Sequence, residues 1–132
     1  MEASTCKLQI NVLAAISKIV AKALDLEQSL LDILGILSET LSMKRATITL
    51  YDRATGQLVI SASHGLTAEE KKRGIYRLDE GITGKIFQTA QPYCVPDIRN
   101  EPLFLDKTGS RSIERERLSF IGVPVVLQNE PI

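Results

Sequence analysis

The sequence has no excess of charge of either sign, because 16 lysine and arginine residues balance 16 aspartate and glutamate residues. Binding to nucleic-acid phosphates needs a basic surface, so this balance argues against direct nucleic-acid binding. It argues equally against a polybasic membrane anchor. No apolar run approaches the roughly 18 residues that a membrane span needs. The N terminus also lacks the pattern of a secretory signal, so we expect a cytoplasmic location.

The residues from which enzyme and metal sites are built are also scarce. The two cysteines, Cys6 and Cys94, have no CxxC neighbour, which predicts two free thiols in a reducing compartment. The single histidine, His64, cannot build a zinc site without partners. Motifs such as HExxH, GxSxG and the P-loop are missing. The sequence therefore predicts no catalytic residues, no metal site and no cofactor.

The 132 residues, 44% of them apolar, suffice for one domain with a real core. The first predicted helix runs from about Leu8 to Leu24 and has two apolar stripes at helical spacing. One stripe consists of Leu13, Ile16, Val20 and Ala23, and the other of Leu8, Val12, Ala15 and Ile19. Such a broad face suits a helix sandwiched between a sheet and its neighbour, or one that also pairs with another subunit.

A second helix is predicted from Asp25 to about Met43. Asp25 is a candidate N-cap, with Gln28 three residues on as in a capping box. A core-facing stripe follows at helical spacing. Gly35 within the helix lowers its stability and predicts a close approach to another element.

Residues 45–52, RATITLYD, alternate as a β-strand does, and a turn leads to a returning strand from Gln57 to Ser63. One face carries Ala46, Ile48 and Leu50, and the other carries Thr47, Thr49 and Tyr51. The second face is semi-polar, so it suits either water or the lining of a partly polar pocket. A hairpin together with helices predicts an α+β domain with an antiparallel sheet and the helices packed on one face.

The rest of the chain reads as short elements. We expect helices from Ala68 to Arg73 and near 110–116, and strands from Ile75 to Leu78, around Cys94, and from Leu118 to Leu127. Within its strand we expect Cys94 to be a buried residue. Pro124 predicts an edge position or a bulge in the last strand. The final residues resemble a strand entering a turn, so we expect a returning edge strand after Ile132 and a chain that is part of a longer polypeptide.

The stretch DEGITGKIFQTAQPYCVPDI, residues 79–98, has two glycines three apart at a helix start. Asp79 is a candidate cap, and Gly81 is suited to a positive φ. The start either packs tightly against a neighbour through Gly84 or receives an anion on its free N–H groups. Asp97 and Arg99 follow, able to pair with each other, to cap a turn or to reach a ligand.

Four segments together resemble the GAF domain family. They are YDRATGQL at 51–58, DEGITGKI at 79–86, TAQPYCVPD at 89–97 and SFIGVPV at 119–125. The resemblance extends over about residues 8–132, and RGIYR at 73–77 is most similar to the N-terminal GAF domains of NifA-type activators of nitrogen-fixation genes. The cyclic-nucleotide, bilin-binding and methionine sulfoxide reductase patterns of other GAF domains are missing.

The resemblance implies a single GAF domain in which short helices and loops cover one sheet face, with small ligands bound beneath. It implies a sensor of a small metabolite, 2-oxoglutarate among the candidates, or of a regulatory protein. The sensor would control a downstream ATPase domain of a sigma-54-dependent activator that also has a helix-turn-helix domain. By position, Thr47, Thr49 and Tyr51 are the expected pocket floor, Ile82, Thr83 and Phe87 the lid, and Cys94 and Asp97 the rim. The alternative is a dimerisation or protein-interaction domain without a ligand, with a homodimer formed through the N-terminal helix.

Overall fold

The computed structural model describes residues 2–21, 25–105, 107–108 and 118–132. The chain divides into two compact units. One comprises Met1–Ile48 with Ser61–Leu66, and the other comprises Thr49–Ile60 with Thr67–Ile132. Helices and antiparallel strands occur together, which confirms the α+β class. The expected helix near 110–116 lies outside the described residues.

Two long helices dominate the first unit. Helix α1 spans Glu2–Ala21 and packs on α2, Leu26–Leu41. Helix α1 begins six residues before the predicted start at Leu8. No proline or glycine interrupts these earlier residues, and a nucleated helix extends readily. Val12, from the Leu8 stripe, is buried, whereas Leu13 and Val20, from the other stripe, are exposed.

The cap at the start of α2 is confirmed, but the capping box is not. The Asp25 side chain accepts a hydrogen bond from the Gln28 backbone N–H at 3.3 Å. The Gln28 side chain does not reach back, since its Nε2 donates to Asp32 instead. The expectation for Gly35 is wrong, because a Cβ built there meets no atom within 4 Å. Helix α2 ends at Leu41, where Ser42 adopts the left-handed conformation.

The first sheet has three strands in the order β1-β2-β3. They are β1, Ala46–Asp52, β2, Gln57–His64, and β3, Ile75–Tyr76. Only four residues join β1 to β2, so this pair is an antiparallel hairpin, as predicted. Strand β3 pairs antiparallel with β2, and it ends two residues earlier than expected. Between them lies α3, Ala68–Arg73, whose Thr67 and Glu70 form a complete capping box.

Two further strand pairs complete the described structure. Strand β4, Tyr93–Val95, pairs antiparallel with β5, Phe120–Gly122. Strand β6, Val126–Leu127, pairs with β7, Glu130–Pro131, through a turn at Gln128 and Asn129. Both turn residues have positive φ, at 52° and 67°, which suits the twist of a tight hairpin.

The C-terminal strands correct two expectations. The predicted strand 118–127 is divided around Pro124, which has no N–H to donate to a ladder. The returning strand expected after Ile132 begins within the chain, as β7. The backbone N–H of Tyr51 in β1 donates to the carbonyl of Ile132 at 2.6 Å, so the last residue lies beside β1.

Candidate functional site

Helix α4, Gly81–Thr89, starts against a neighbouring segment of the same unit. Gly81 has φ of +63°, and a Cβ built there would lie 3.1 Å from Leu105 Cδ1 and 3.3 Å from the Leu103 carbonyl oxygen. At Gly84 a Cβ would lie 2.8 Å from the Leu78 carbonyl oxygen. Both glycines therefore permit close approach, and tight packing is the reading that the structure supports. The N-cap is Glu80 rather than Asp79.

Residues 103–105 and 107–108, here called the strap, are held by polar contacts at Lys107 and Thr108. Lys107 Nζ pairs with Glu80 Oε1 at 2.5 Å and donates to the Ile75 carbonyl at 2.9 Å. The same ammonium group lies 5.3 Å from the ring centroid of Tyr76. One lysine thus joins the strap to both β3 and the residue at the N-cap position of α4.

Arg73, the last residue of α3, provides the second tie. Its Nε donates to the backbone carbonyl of Thr108 at 3.0 Å, and its second guanidinium nitrogen donates to the same oxygen. Thr108 is buried. Arg73 is the third residue of the basic run Lys71-Lys72-Arg73, and it holds the end of the strap.

The electrostatics at the α4 start centre on Glu80. The backbone N–H of Arg77 donates to its Oε2 at 2.9 Å, and Lys107 contacts its Oε1. The Arg77 backbone hydrogen bond first, and the Lys107 hydrogen bond second, lower the pKa of Glu80 below its ordinary value of 4.5. The ionised carboxylate is therefore the form that this arrangement stabilises.

Beneath the start of α4 lies an apolar cluster. Its buried members are Ile82, Ile86, Val95 and Ile98, with Tyr93, Leu103, Phe104, Leu118 and Phe120 packed around them. The rings of Phe104 and Phe120 meet edge to face with centroids 5.9 Å apart. Ile82 and Ile86 therefore point into the interior of this unit.

The predicted floor residues on β1 differ in exposure. Thr47 and Tyr51 are exposed, whereas Thr49 is half-buried. Tyr51 nevertheless lies against α4, because its ring centroid is 5.7 Å from that of Phe87 with the planes tilted by 35°. The structure thus brings one predicted floor residue into contact with one predicted lid residue.

The other predicted lid residues lie along the same helix. Thr83 and Phe87 are half-buried, and Ile82 is a fully packed member of the apolar cluster. Thr83 and Phe87 are four residues apart and so share one side of α4. Ile82 belongs to the interior, so its contribution to a lid is the anchoring of the helix.

The predicted rim residues, Cys94 and Asp97, lie on β4 and just after it. Cys94 is exposed and has Ile121 as its register partner, so the expectation of a buried cysteine is wrong. Strand alternation explains this, since the buried Val95 occupies the inner face and Cys94 the outer one.

Asp97 fulfils two of the three roles considered for it. It caps the short 3₁₀ helix Ile98–Asn100 by accepting from the Arg99 backbone N–H. Its two carboxylate oxygens also receive the Arg99 guanidinium, with the shortest contact at 2.6 Å. The Asp97 hydrogen bond raises the pKa of Arg99, and the side chains of the pair are 43% exposed at Arg99 and 12% exposed at Asp97.

Sequence reasoning missed Arg73, Glu80 and Lys107 as parts of this region. The contacts of Arg73 and Lys107 cross 35 and 32 residues of chain, so no local pattern could pair them. The one available signal was Glu80 beside Gly81 at a helix start, where an acid is favoured. Within the described ranges, no three metal-ligating side chains cluster, and no helix has the length and apolarity to cross a membrane.

Comparisons with known proteins agree on one family. The family model described as GAF domain matches residues 25–132. The chain is 43% identical over 124 residues to a Nif-specific regulatory protein of Herbaspirillum seropedicae, covering 93% of this chain and 23% of that protein. It is 39% identical over 119 residues to the nitrogen fixation protein VnfA of Azotobacter vinelandii, covering 89% and 23%. The chain thus spans less than a quarter of these relatives.

Solved structures support the same fold. The GAF domain of nlh2 from A. aeolicus, in an inactive state, has a TM-score of 0.75 and 30% identity, over 94% of this chain and 74% of that one. The GAF domain of a phosphoenolpyruvate-protein phosphotransferase from Coxiella burnetii has a TM-score of 0.79 and 24% identity, over 92% and 71%. At that identity the second match concerns the fold alone.

Proposed function

The chain belongs to the GAF domain family, and from this premise we propose that it is the regulatory sensor module of a nitrogen-fixation transcription activator. The activator would be sigma-54-dependent and cytoplasmic, with the module controlling a downstream ATPase domain. Its relatives are named Nif-specific regulatory and nitrogen fixation proteins, and they are several times longer than this chain. Control would pass through a change between two arrangements whose balance the bound signal shifts.

The proposed ligand site lies between β1 and α4, within the unit that comprises Thr49–Ile60 and Thr67–Ile132. The observation that carries it is the contact between the Tyr51 and Phe87 rings, which joins the predicted floor to the predicted lid. Thr49 and Thr83 add half-buried hydroxyl groups near the same elements. Aromatic walls with a few polar groups are typical of small-molecule sites.

A small metabolite such as 2-oxoglutarate, or a regulatory protein, is the proposed signal. Apolar rings would cover the carbon chain of such a metabolite, and the threonine hydroxyls would donate to its oxygens. The Asp97–Arg99 fork already satisfies its own charges, so we assign the rim a supporting role. If Cys94 lies at the rim of the site, its exposed thiol lies outside the apolar cluster beneath α4.

Melting of the chain, alone and with 2-oxoglutarate, glutamine or a cyclic nucleotide, tests the sensor function. A ligand at 100 times its Kd stabilises the native state by about 2.7 kcal/mol, which is several degrees for a domain of this size. We expect a saturable rise with one compound. Cooperative melting without a rise for any compound contradicts the small-molecule form of the proposal.

A matched pair of variants tests whether the ligand-induced rise in melting temperature arises at the proposed site. Thr49→Val removes one half-buried hydroxyl with little change of shape, and Thr55→Val makes the same change in the exposed β1–β2 turn. Thr49→Val is expected to reduce the ligand-induced rise, because a lost hydrogen bond costs about 1 kcal/mol. Thr55→Val is expected to preserve it, and equal losses in both would place the ligand elsewhere.

A second candidate function is a dimerisation or protein-interaction domain with no small-molecule ligand. The observation that favours it is the apolar face of α1, where Ile10, Leu13 and Val20 are exposed. A homodimer through this helix is compatible with either function. The melting experiment separates the two, since only the sensor requires a ligand-dependent rise.

We propose no catalytic activity for the chain. Cys94 is the side chain on which a redox activity would depend, because its thiol is exposed. A catalytic thiol is activated by its surroundings and reacts faster than a free cysteine. The non-catalytic proposal predicts an ordinary reaction rate of Cys94 with a thiol probe at neutral pH, measured in a Cys6→Ser background. A strongly accelerated rate would contradict it.

A further inference from the structure

The two ends of the strap are held by different kinds of contact. Just before its first end, Glu101 is bound to β4, because the Tyr93 hydroxyl donates to Glu101 Oε2 at 3.2 Å. The backbone N–H of Leu103 donates to the other carboxylate oxygen, Oε1, at 3.1 Å. The backbone N–H of Phe104 donates to the Glu101 carbonyl at 3.2 Å. Local hydrogen bonds therefore anchor this end to a strand that is itself paired with β5.

The second end of the strap is held by two long cationic side chains. Lys107 reaches Glu80 and the carbonyl of Ile75. Arg73 reaches the carbonyl of Thr108. The side chains of Lys107 and Glu80 are 28% and 21% exposed, so water can replace each as the partner of the other. This end can therefore detach without breaking a pair of strands.

Between its two ends the strap covers apolar groups. Leu103 and Phe104 pack on the apolar cluster beneath α4, and a Cβ on Gly81 would meet Leu105. Leu103 and Phe104 are only half-buried, and Leu105 is 36% exposed. Because hydrophobic stabilisation is proportional to the apolar area removed from water, these residues hold the strap less firmly than a buried residue would.

We propose that the strap is a latch on the start of α4. It opens at the end that Lys107 and Arg73 hold, turns about the anchor at Glu101, and leaves the rest of its unit folded. The structure shows the closed form, in which both cationic ties are made. A segment with few buried apolar groups and with partly exposed polar contacts is the kind that opens below the free energy of global unfolding.

The latch deepens the proposed function by giving its site a means of regulation, and in that respect it rests on the proposed function. Opening lifts Leu105 from Gly81 and uncovers the start of α4. The same helix carries Phe87, which forms the aromatic contact of the proposed site with Tyr51. The closed strap holds α4 in one position, and the open strap permits another. Regulation by a bound signal requires two such arrangements.

Lys107 is the residue on which the latch depends most. Its ammonium group pairs with Glu80 at 2.5 Å, donates to the Ile75 carbonyl at 2.9 Å and lies 5.3 Å from the ring centroid of Tyr76. Hydrogen bonds between charged groups are roughly twice as strong as those between neutral ones. One substitution at Lys107 removes all of these contacts together.

The reaction rate of a buried thiol measures opening of the strap. Thr108 is 5% exposed at the second end, and Thr108→Cys introduces a side chain of similar size there. With Cys6→Ser and Cys94→Ser, the new thiol is the single one in the chain. The backbone carbonyl of residue 108 still accepts from Arg73. When closing is faster than reaction with an aromatic disulfide reagent, the rate is proportional to the open fraction.

Lys107→Met in this reporter chain keeps an unbranched side chain and removes the ammonium group. We expect the thiol to react about tenfold faster, because hydrogen bonds to charged groups are lost. Lys72→Met makes the same change at an exposed position on α3 and is expected to alter the rate by less than about twofold. An unchanged rate in Lys107→Met, or equal acceleration in both variants, overturns the latch.

Urea separates opening of the strap from unfolding of the whole unit. Local opening exposes little surface, so its equilibrium depends weakly on urea, whereas that of global unfolding depends steeply on it. Without urea we expect the thiol to react at least about ten times faster than global unfolding alone would allow. A reaction that follows global unfolding at every urea concentration, in the reporter chain and in Lys107→Met alike, overturns the proposal. This comparison also identifies a variant that is merely less stable.

A double-variant cycle tests whether Lys107 and Glu80 act as one tie. Glu80→Gln keeps an acceptor oxygen for the Arg77 backbone N–H and removes the charge that Lys107 contacts. We expect it to accelerate the thiol reaction. The double variant should be no more than about twofold faster than Lys107→Met alone, because the contact is already lost. Accelerations that multiply in full would overturn the role assigned to the pair.

The latch and the sensor can fail separately. The thiol experiments need no ligand, so melting that is unchanged by 2-oxoglutarate and the other compounds removes the small-molecule sensor and leaves the latch. A ligand-induced rise in melting temperature, without faster thiol reaction in Lys107→Met, keeps the sensor and removes the latch.

Discussion

Helices α1 and α4 differ in how far their apolar residues are buried. Helix α4 is nine residues long and buries Ile82, Gly84 and Ile86 within its own unit. Helix α1 is 20 residues long, and of its residues with a described burial only Val12 is buried, while Ile10 and Leu13 remain exposed. The difference indicates that α4 contributes to the stability of the fold, whereas the outer face of α1 is the surface that the proposed homodimer would cover. Helix length therefore says little about where the stability lies.

The polar contacts follow the same division. The strap is joined to the start of α4 by the Lys107–Glu80 pair and to α3 by Arg73, and both are contacts between distant parts of the chain. The polar contacts at the start of α2, the partner of α1, are local ones made by Asp25 and Gln28. Apart from the strap itself, a region held by long-range contacts is expected to open only with the whole unit, and a region with local contacts to open more readily.

The largest expected difference comes from truncating one apolar residue on each helix. Ile82→Ala removes a side chain that is only 4% exposed, and its cost is about 2–5 kcal/mol of unfolding free energy. Leu13→Ala removes one that is mostly exposed, and in dilute solution it should cost under about 0.5 kcal/mol. Chemical denaturation of both variants at a monomeric concentration measures the difference. Equal losses would contradict the division between the helices.

A smaller effect comes from adding a methyl group to a helical glycine. Gly84→Ala is expected to destabilise the chain by about 1–3 kcal/mol, because the new Cβ would lie 2.8 Å from the Leu78 carbonyl oxygen. The matched change Gly35→Ala in α2 meets nothing within 4 Å. It should stabilise by about 0.5–1 kcal/mol, because alanine favours a helix more than glycine does. Thermal melting measures the sign of the stability change in each variant. A stabilising Gly84→Ala would show that the start of α4 is not tightly packed.

The smallest effect concerns Glu80 and pH. Since the folded state lowers the pKa of Glu80, its contribution to stability is present above the unfolded pKa and is lost as pH falls through the folded pKa. The wild-type chain should therefore exceed Glu80→Gln in stability near neutral pH, and the gap should close in acid below the ordinary value of 4.5. The control is Glu69→Gln, an exposed acid on α3. Denaturation at a series of pH values measures the gap, and a gap that widens in acid would contradict the assignment.

Much of the fold could be predicted from the sequence because the signals were local. The helical stripes, the Asp25 cap and the β1–β2 hairpin each depend on residues within a few positions of one another. Gly81 is similar, since its positive φ follows from a tight turn before a helix. The errors arose where a distant neighbour decides the outcome. Gly35 could have faced a second element, and only the three-dimensional structure shows that its neighbourhood is open.

The candidate site was less predictable for the same reason. Alternation along β1 grouped Thr49 with Tyr51, but the contact with Phe87 depends on where α4 lies. The inner and outer faces of β4 could not be told apart from three residues, so Cys94 was expected inside. The strap was missed because Lys107 and Arg73 donate to backbone carbonyls. Every residue has a backbone carbonyl, so the sequence does not indicate which one accepts the hydrogen bond.

Amide hydrogen exchange at two protein concentrations tests the contrast between α1 and α4 most directly. The account predicts that exchange in residues 7–20 of α1 slows as concentration rises, because the proposed homodimer through the outer face of α1 would suppress local opening. Exchange in Gly81–Thr89 is expected to stay the same, since its apolar face is already covered within the chain. Protection in α1 that is independent of concentration, or protection in α4 that rises with it, would contradict the account.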